Sequence, residues 1–164
     1  MDVARLFEAH YDVLYRYLVR MTGDSDIAAD MAQESFIRLV ERQPEEQQIR
    51  GWLFRVATNL VRDDSRVRRR RHQLLEEFPD RAPVADAPVN PETMLELNER
   101  CAYVRTALEA LSLKDRTLLL MREEGFSHHE IARAVGTTTK SVGSMIARAL
   151  KKLSTELSRS EIDL

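Results

Sequence analysis

The sequence is poor in several residue types, and each shortage narrows the range of possible folds. A single cysteine, Cys101, excludes an internal disulfide bond. Aromatic residues make up 6% of the 164 residues, and glycine and proline number five each. Valine, isoleucine and threonine do not cluster in the alternating runs that strands require. The composition therefore favours an all-α fold.

Long apolar runs and catalytic constellations are missing as well. No apolar run approaches the roughly 20 residues that cross a membrane. The opening MDVARLFEAHYD is acidic and amphipathic and does not follow the pattern of a signal peptide, so we expect a cytoplasmic protein without membrane insertion of its own. Four scattered histidines and one cysteine give no zinc-ligand spacing, and no nucleophile–base pair or glycine-rich phosphate loop is present. The sequence predicts no enzyme activity, metal or cofactor.

The sequence is rich in charged residues, and they are unevenly distributed along the chain although the net charge is only −2. Between Arg62 and Arg71 there are six arginines against two aspartates. Between Lys140 and Lys152 there are four basic residues and no acid. Two separate basic segments in a nearly neutral chain indicate local contact with a polyanion, whereas a solvated helix face is the simpler alternative.

Helical periodicity and punctuation divide the chain into two parts. Apolar spacing predicts three helices in the first part, the first ending near Thr22 and the second near Arg42. Gly23 is expected to end the first helix, and Asp24 or Ser25 to cap the second. Four of the five prolines then fall within EEFPDRAPVADAPVNP. We predict a flexible linker over residues 76–93, which separates a domain of residues 1–75 from one of residues 94–164.

The end of the chain has the pattern of a helix-turn-helix. Ser127 and Glu130 have the spacing of a capping box, Gly136 permits a tight turn, and Thr138 or Thr139 can cap a longer basic helix. Residues near the start of that helix would reach base edges, and its later basic residues would hold phosphates. An αα-hairpin with an incidental basic end is the alternative. The residues expected to face inward are Ile131, Ala132, Val135, Val142, Ile146 and Leu150.

The arginine-rich segment shows a second regularity. Asn59, Arg62, Arg66 and Arg70 recur at spacings of three or four residues, which places them on or near one helix face. An asparagine amide can read a base edge, and arginine forks suit phosphates. A nonspecific basic surface is the competing interpretation.

These segments in this order resemble a known family. The stretches are DMAQESFIRLVE, then IRGWLFRVATNLVRDDSRVRRRR, then LEALSLKDRTLLLMREEGFSHHEIARAVGTTTKSVGSMIARALKKL after the proline-rich segment. From roughly Leu6 to Leu157 the chain resembles bacterial RNA polymerase sigma factors of the extracytoplasmic-function (ECF) group. The resemblance implies two small helical domains: a region 2-like bundle of three to four helices and a region 4-like helix-turn-helix domain.

The resemblance also implies roles for individual residues. In its D-x-x-Q-E-x-F pattern, Phe36 is expected to pack inward, and the loop from Gln43 to Arg50 is expected to sit over the non-template strand. Trp52 is expected to pack in the core. The implied polymerase-binding residues are Asp30, Gln33, Glu34 and Arg38. The implied contacts to the −10 element are Asn59, Arg62, Arg66, Arg68, Arg69 and Arg70. The implied contacts to the −35 element are His128, Thr139, Lys140, Ser141, Ser144, Arg148, Lys151 and Lys152.

The function that the resemblance implies is that of an alternative sigma factor. Such a protein binds core RNA polymerase and promoter DNA, recognises the −35 and −10 elements, and helps to melt the latter. An anti-sigma protein is the implied inhibitor. Gly143 and Met145 depart from the family pattern, since basic residues are common at these positions of the recognition helix. Two other interpretations stay open: a stand-alone helix-turn-helix regulator, and a helical adaptor whose basic patches bind an acidic protein.

Overall fold

The structure is a computed structural model that describes residues 1–77 and 99–162. Every regular element in these two ranges is helical, which confirms the all-α prediction. No helix within them combines the length and the apolar composition that a bilayer crossing requires. The helices are α1 (Val3–Thr22), α2 (Ser25–Arg42), α3 (Ile49–Glu77), α4 (Glu99–Glu109), α5 (Leu113–Glu123), α6 (His128–Val135) and α7 (Thr139–Ile162), with a 3-10 turn at Glu46–Gln48 before α3.

Local signals determine where the first two helices meet. Gly23 adopts a φ of 73°, a left-handed conformation that costs glycine little, and its N–H donates to the Val19 carbonyl at 2.8 Å. The Asp24 carboxylate then accepts hydrogen bonds from the N–H groups of Asp26 and Ile27 at 2.9 and 3.1 Å. The predicted glycine stop and aspartate cap are both confirmed.

The third helix is longer than the sequence pattern indicated. It continues to Glu77, which is past the predicted start of the linker at residue 76. Residues 78–98 lie outside the described part of the chain, and they include most of the predicted linker. The division into residues 1–75, 76–93 and 94–164 therefore stays a prediction.

The helix-turn-helix is formed as the sequence predicted. The Ser127 hydroxyl accepts from the Glu130 N–H at 3.2 Å, and the Glu130 carboxylate accepts from the Ser127 N–H at 2.9 Å. This capping box satisfies two N–H groups that have no partner within the helix. Gly136 ends α6 with a φ of 72°, and the hydroxyls of Thr138 and Ser141 lie 2.8 Å apart at the start of α7.

One predicted core position of α7 is wrong. Val142 and Ile146 are buried as expected, but Leu150 is 43% exposed. The inward stripe steps by three residues from Ile146 to Ala149, which is fully buried, and continues to the partly buried Leu153. A period of 3.6 residues allows steps of three or four, so periodicity alone favoured the larger leucine over the correct alanine.

The N-terminal part (α1–α3) and the C-terminal part (α4–α7) share one apolar core. Tyr17 is fully buried, its hydroxyl lies 2.8 Å from the Thr58 hydroxyl, and burial raises its pKa to about 12. The ring of Phe54 lies 4.9 Å from that of Tyr17 and 4.6 Å from that of Phe126 between centroids. The two domains therefore pack directly against each other through aromatic side chains.

Replacing Ser127 by alanine tests the contribution of the capping box. We expect Ser127→Ala to lower the free energy of unfolding by about 1 kcal/mol, because the helix loses its cap. Urea unfolding followed by circular dichroism measures the change. Ser154→Ala, at an exposed position within α7, is the matched control and should change stability by less than about 0.5 kcal/mol. Equal effects of the two substitutions would contradict a capping role.

Candidate nucleic-acid interface

The start of α7 presents a basic and polar face to solvent. Lys140, Ser144 and Arg148 follow at four-residue spacing, so they lie on one side of the helix, and all three are exposed. The Ser144 hydroxyl donates to the Ser141 carbonyl at 3.0 Å, which leaves its oxygen able to accept. Thr139 is also exposed. This side of α7 carries the kinds of groups found on helices that enter a major groove.

The remaining predicted −35 contacts are not equivalent. Lys151 is exposed, whereas the Lys152 ammonium lies 2.7 Å from the Asp115 carboxylate and ties α7 to the first turn of α5. Ser141 is half-buried, and its hydroxyl forms a hydrogen bond with the Thr138 hydroxyl. A phosphate at Lys152 would have to compete with an ion pair inside the domain.

His128 and Gly143 lie next to each other, although 15 positions separate them in the sequence. A Cβ atom placed on Gly143 would lie 3.6 Å from Cε1 of His128, an ordinary contact distance. His128 is exposed at the start of α6. The structure therefore brings His128 onto the same surface as the start of α7.

The predicted −10 residues divide into two groups along α3. Arg62 is half-buried, donates to the Ala134 carbonyl at 3.2 Å, and makes a long 3.4 Å hydrogen bond to the exposed Asn59 side chain. Arg68 lies 2.9 Å from Asp64 in an ion pair one helical turn apart. The others of the set project into solvent: Arg66, Arg69 and Arg70.

The predicted polymerase-binding residues lie along the outer side of α2. Asp30 and Gln33 are exposed, and Glu34 pairs with Arg38 at 2.7 Å. Phe36 is 5% exposed, which confirms that it packs inward. The side chains of Glu34 and Arg38 are still 42% and 43% exposed, so the pair remains accessible to a partner.

Sequence reasoning missed an exposed apolar patch beside this face. Ile37 and Val40 are 53% and 44% exposed on α2, and Phe7 of α1 is 40% exposed. The Phe7 ring stacks on Tyr11 at 4.4 Å and lies 5.0 Å from Phe36. Accessible aliphatic and aromatic groups beside charged residues are typical of a protein-binding surface.

A cleft of about 260 Å³ lies beside the contact between the start of α3 and α6. Gln47, Gln48 and Trp52 line one side, and His129 and Arg133 line the other. Trp52 is half-buried, so it packs against the core as expected while one edge borders the cleft. Among the residues whose side chains are described, no three histidine, cysteine, aspartate or glutamate groups are close enough to bind a metal ion.

These features define a class of protein: a helix-turn-helix protein whose recognition helix displays basic side chains. Comparison with known families identifies the family within this class. Residues 6–72 match the family model for Sigma-70 region 2, and residues 101–153 match the model for Sigma-70, region 4. The chain belongs to the sigma-70 family, in the ECF group of RNA polymerase sigma factors.

Individual relatives agree with this assignment. The chain is 34% identical to the ECF RNA polymerase sigma factor SigE of Mycolicibacterium smegmatis over 152 residues, which cover 90% of this chain and 58% of SigE. It is 32% identical to the RNA polymerase sigma factor NccH of Alcaligenes xylosoxydans xylosoxydans over 145 residues, which cover 85% of this chain and 77% of NccH. The chain thus spans less than two thirds of the length of SigE.

Solved structures share the fold. The sigma factor RpoE from Bartonella quintana, crystallised with the anti-sigma factor NepR, superposes with a TM-score of 0.73 at 21% identity, over 96% of this chain and 97% of RpoE. CnrH, in complex with the cytosolic domain of CnrY, gives a TM-score of 0.65 at 22% identity, over 96% of this chain and 88% of CnrH.

The glycine in the recognition helix can be tested directly. Gly143 lies in a helix interior, and a Cβ atom there meets His128 at an ordinary distance. We expect Gly143→Ala to raise the free energy of unfolding by about 1 kcal/mol, since alanine is the better helix former. Urea unfolding measures the change. The reverse substitution Ala147→Gly, at an exposed position one turn later, should lower stability by a similar amount. A destabilised Gly143→Ala variant would contradict an unstrained contact between the new methyl group and His128.

Proposed function

We propose that this protein is an alternative sigma factor, which binds core RNA polymerase and directs transcription initiation to particular promoters. The observation that carries the proposal is the combination of surfaces on one chain. The exposed face of α7 and the arginine end of α3 offer two separate sites for DNA, and the charged and apolar face of α2 offers a site for protein. Membership of the sigma-70 family supports this interpretation.

The helix-turn-helix would read the −35 element as duplex DNA. With α7 in the major groove, Lys140 and Ser144 lie near its start, where side chains reach base edges. Arg148 and Lys151 lie further along and would contact phosphates, which determine the position of the helix but carry no sequence information. The Ser144 hydroxyl donates to the Ser141 carbonyl, so its oxygen is left to accept from a base that presents a donor.

The N-terminal domain would act on the −10 element as single-stranded DNA. Taking a base out of the stack costs a few kcal/mol, which contacts to the exposed strand must offset. Arg66, Arg69 and Arg70 offer cations to the backbone, and the Asn59 amide can bond to a base edge. The protein performs no chemistry of its own, needs no cofactor, and acts where polymerase and DNA are, in the cytoplasm.

The outer face of α2 would dock on a large subunit of the polymerase. Gln33 and the Glu34–Arg38 pair provide polar groups, and Ile37 and Val40 provide apolar area beside them. An apolar centre with a polar rim is the usual anatomy of a protein interface. An anti-sigma protein is the second proposed partner, supported by the RpoE structure, in which NepR is bound to a sigma factor.

Run-off transcription tests the function as a whole. Sigma-free RNA polymerase is mixed with this protein and a library of promoter fragments, and the products are sequenced. We expect transcripts from a defined subset of fragments, because promoter selection requires both DNA surfaces. If the purified chain binds specific duplexes but neither binds polymerase nor alters start sites, the stand-alone regulator is the correct interpretation.

The role of the recognition helix is tested by Arg148→Ala. Each phosphate contact contributes about −0.9 to the slope of log affinity against log salt concentration. We expect the variant to bind promoter duplex more weakly and to reduce the magnitude of the slope by about 1. Fluorescence anisotropy over a salt series measures both quantities. Arg159→Ala removes the same charge from the same helix, at a residue that pairs with Glu156 at 3.4 Å, and should leave the slope unchanged. If log affinity depends on log salt concentration with the same slope in both variants, Arg148 does not contact a phosphate.

A further inference from the structure

The exposed face of α7 has a gap at its centre. Lys140, Gly143, Ser144 and Ala147 follow at spacings of three and four residues, which places them on one side of the helix, and all four are exposed. Lys140 and Ser144 carry polar side chains, whereas Gly143 has no side chain and Ala147 has only a methyl group. A helix in a major groove reads base edges through its side chains. The centre of this face therefore has little of its own with which to read them.

The side chain of His128 lies beside this gap. A Cβ atom placed on Gly143 would lie 3.6 Å from Cε1 of His128. Outside α7, Cε1 is the only atom of the described residues within 4 Å of that position. The imidazole, which belongs to α6, therefore borders the space that a side chain at position 143 of α7 would fill.

The part of the ring that faces the gap is its polar part. Cε1 is the ring carbon bonded to both nitrogens, so Nδ1 and Nε2 flank the atom nearest to Gly143. In a neutral imidazole one nitrogen donates a hydrogen bond and the other accepts one. His128 is exposed, and within residues 1–77 and 99–162 its side chain makes no hydrogen bond or ion pair. Both nitrogens are therefore available to a ligand that approaches this face.

The fold holds the start of α6 in place beside α7. The capping box bonds the Ser127 hydroxyl to the Glu130 N–H at 3.2 Å and the Glu130 carboxylate to the Ser127 N–H at 2.9 Å, so the main chain on both sides of His128 is constrained. Ile131 of α6 and Val142 of α7 are fully buried in the same core. His128 thus projects from a rigid element, as a residue that reads a base must.

We propose that His128 determines base specificity at the −35 element, because it reads from α6 the base pair that faces Gly143 of α7. The group it recognises is the acceptor edge of a purine in the major groove, to which the imidazole N–H donates. This acceptor is N7 in both purines, with O6 beside it in guanine. The inference rests on the proposed function and deepens it, since it assigns one base-pair position to a residue outside the recognition helix.

Run-off transcription from promoter fragments with a randomised −35 element tests this assignment. Sigma-free polymerase is combined with the wild-type protein or with His128→Ala, and transcripts are counted for each base pair at each position. We expect the variant to lower the preference at one position from about tenfold to below about twofold, and to keep the preferences elsewhere. Ser127 still caps α6 in this variant, and circular dichroism checks its helix content.

His129→Ala is the matched control. It removes the same ring from the next residue, which lines the cleft beside α3 and not the gap on α7. We expect it to keep the base preference at every position of the −35 element. Loss of the same preference in both histidine variants would overturn the assignment to His128.

Substitutions at Gly143 test whether the two residues act together. Gly143→Ala places its methyl group at an ordinary distance from the ring, so it should keep the wild-type preference. Gly143→Gln fills the gap with a long polar side chain and should change the preferred base pair at that position. Adding His128→Ala to Gly143→Gln should then alter the preference by less than about twofold, since neighbouring residues that share a partner act non-additively. Independent effects that multiply would overturn the pairing of the two residues.

The remaining outcomes separate this inference from the proposed function. If His128→Ala weakens transcription equally from all fragments, the ring contacts a phosphate and reads no base, which overturns the inference alone. If the wild-type protein does not redirect polymerase, the proposed function fails. The same variants are then compared on duplexes that the purified protein selects from a random pool, and His128→Ala must still relax one position. A wild-type protein that selects no sequence overturns both.

Discussion

The burial of the first half of α3 (Ile49–Glu77) is the constraint on which the other surfaces depend. Leu53, Ala57 and Val61 are buried and hold this helix in the N-terminal bundle. Phe54 packs against Phe126 of the C-terminal domain. Beyond Val61 its described side chains are exposed or half-buried. A continuous helix transmits the position of its anchored half to its free half, so the exposed arginines project from a fixed base. One element therefore joins the core, the domain contact and the candidate −10 surface.

The arginines of this protein face two competing kinds of acceptor. A helix C-terminus offers partial negative charge on its carbonyls, and a phosphate offers a full negative charge with bidentate geometry. In this structure Arg62 donates to the carbonyl of Ala134. A phosphate therefore has the chemistry to compete with this carbonyl for the guanidinium. The near-neutral overall charge conceals this competition, because it depends on where individual guanidinium groups point.

Much of the secondary structure could be predicted because its signals are local. The Gly23 stop, the Asp24 cap and the capping box of Ser127 and Glu130 each involve groups within four residues of one another. Core assignments were less certain, as Leu150 shows, since neighbouring positions on one helix differ in burial according to what packs above them. The neighbours Leu39 and Val40 of α2 also differ in this way, since Leu39 is fully buried and Val40 is 44% exposed. The domain contact could not be predicted, since Arg62 and Ala134 are 72 positions apart, and Arg116 and Met21 are 95 apart.

The sequence by itself determined the helices, most of their ends, the helix-turn-helix and the resemblance to sigma factors, because these follow from residue types at short and regular spacings. The tertiary structure decided which basic residues are available to a partner. It engages Arg62 and Lys152 with groups of the protein itself and leaves Arg66 and Arg148 exposed. The physical reason is that the type of a side chain determines which groups it can bind. The packing of helices that are distant in the sequence determines which of those groups lies close enough to the side chain.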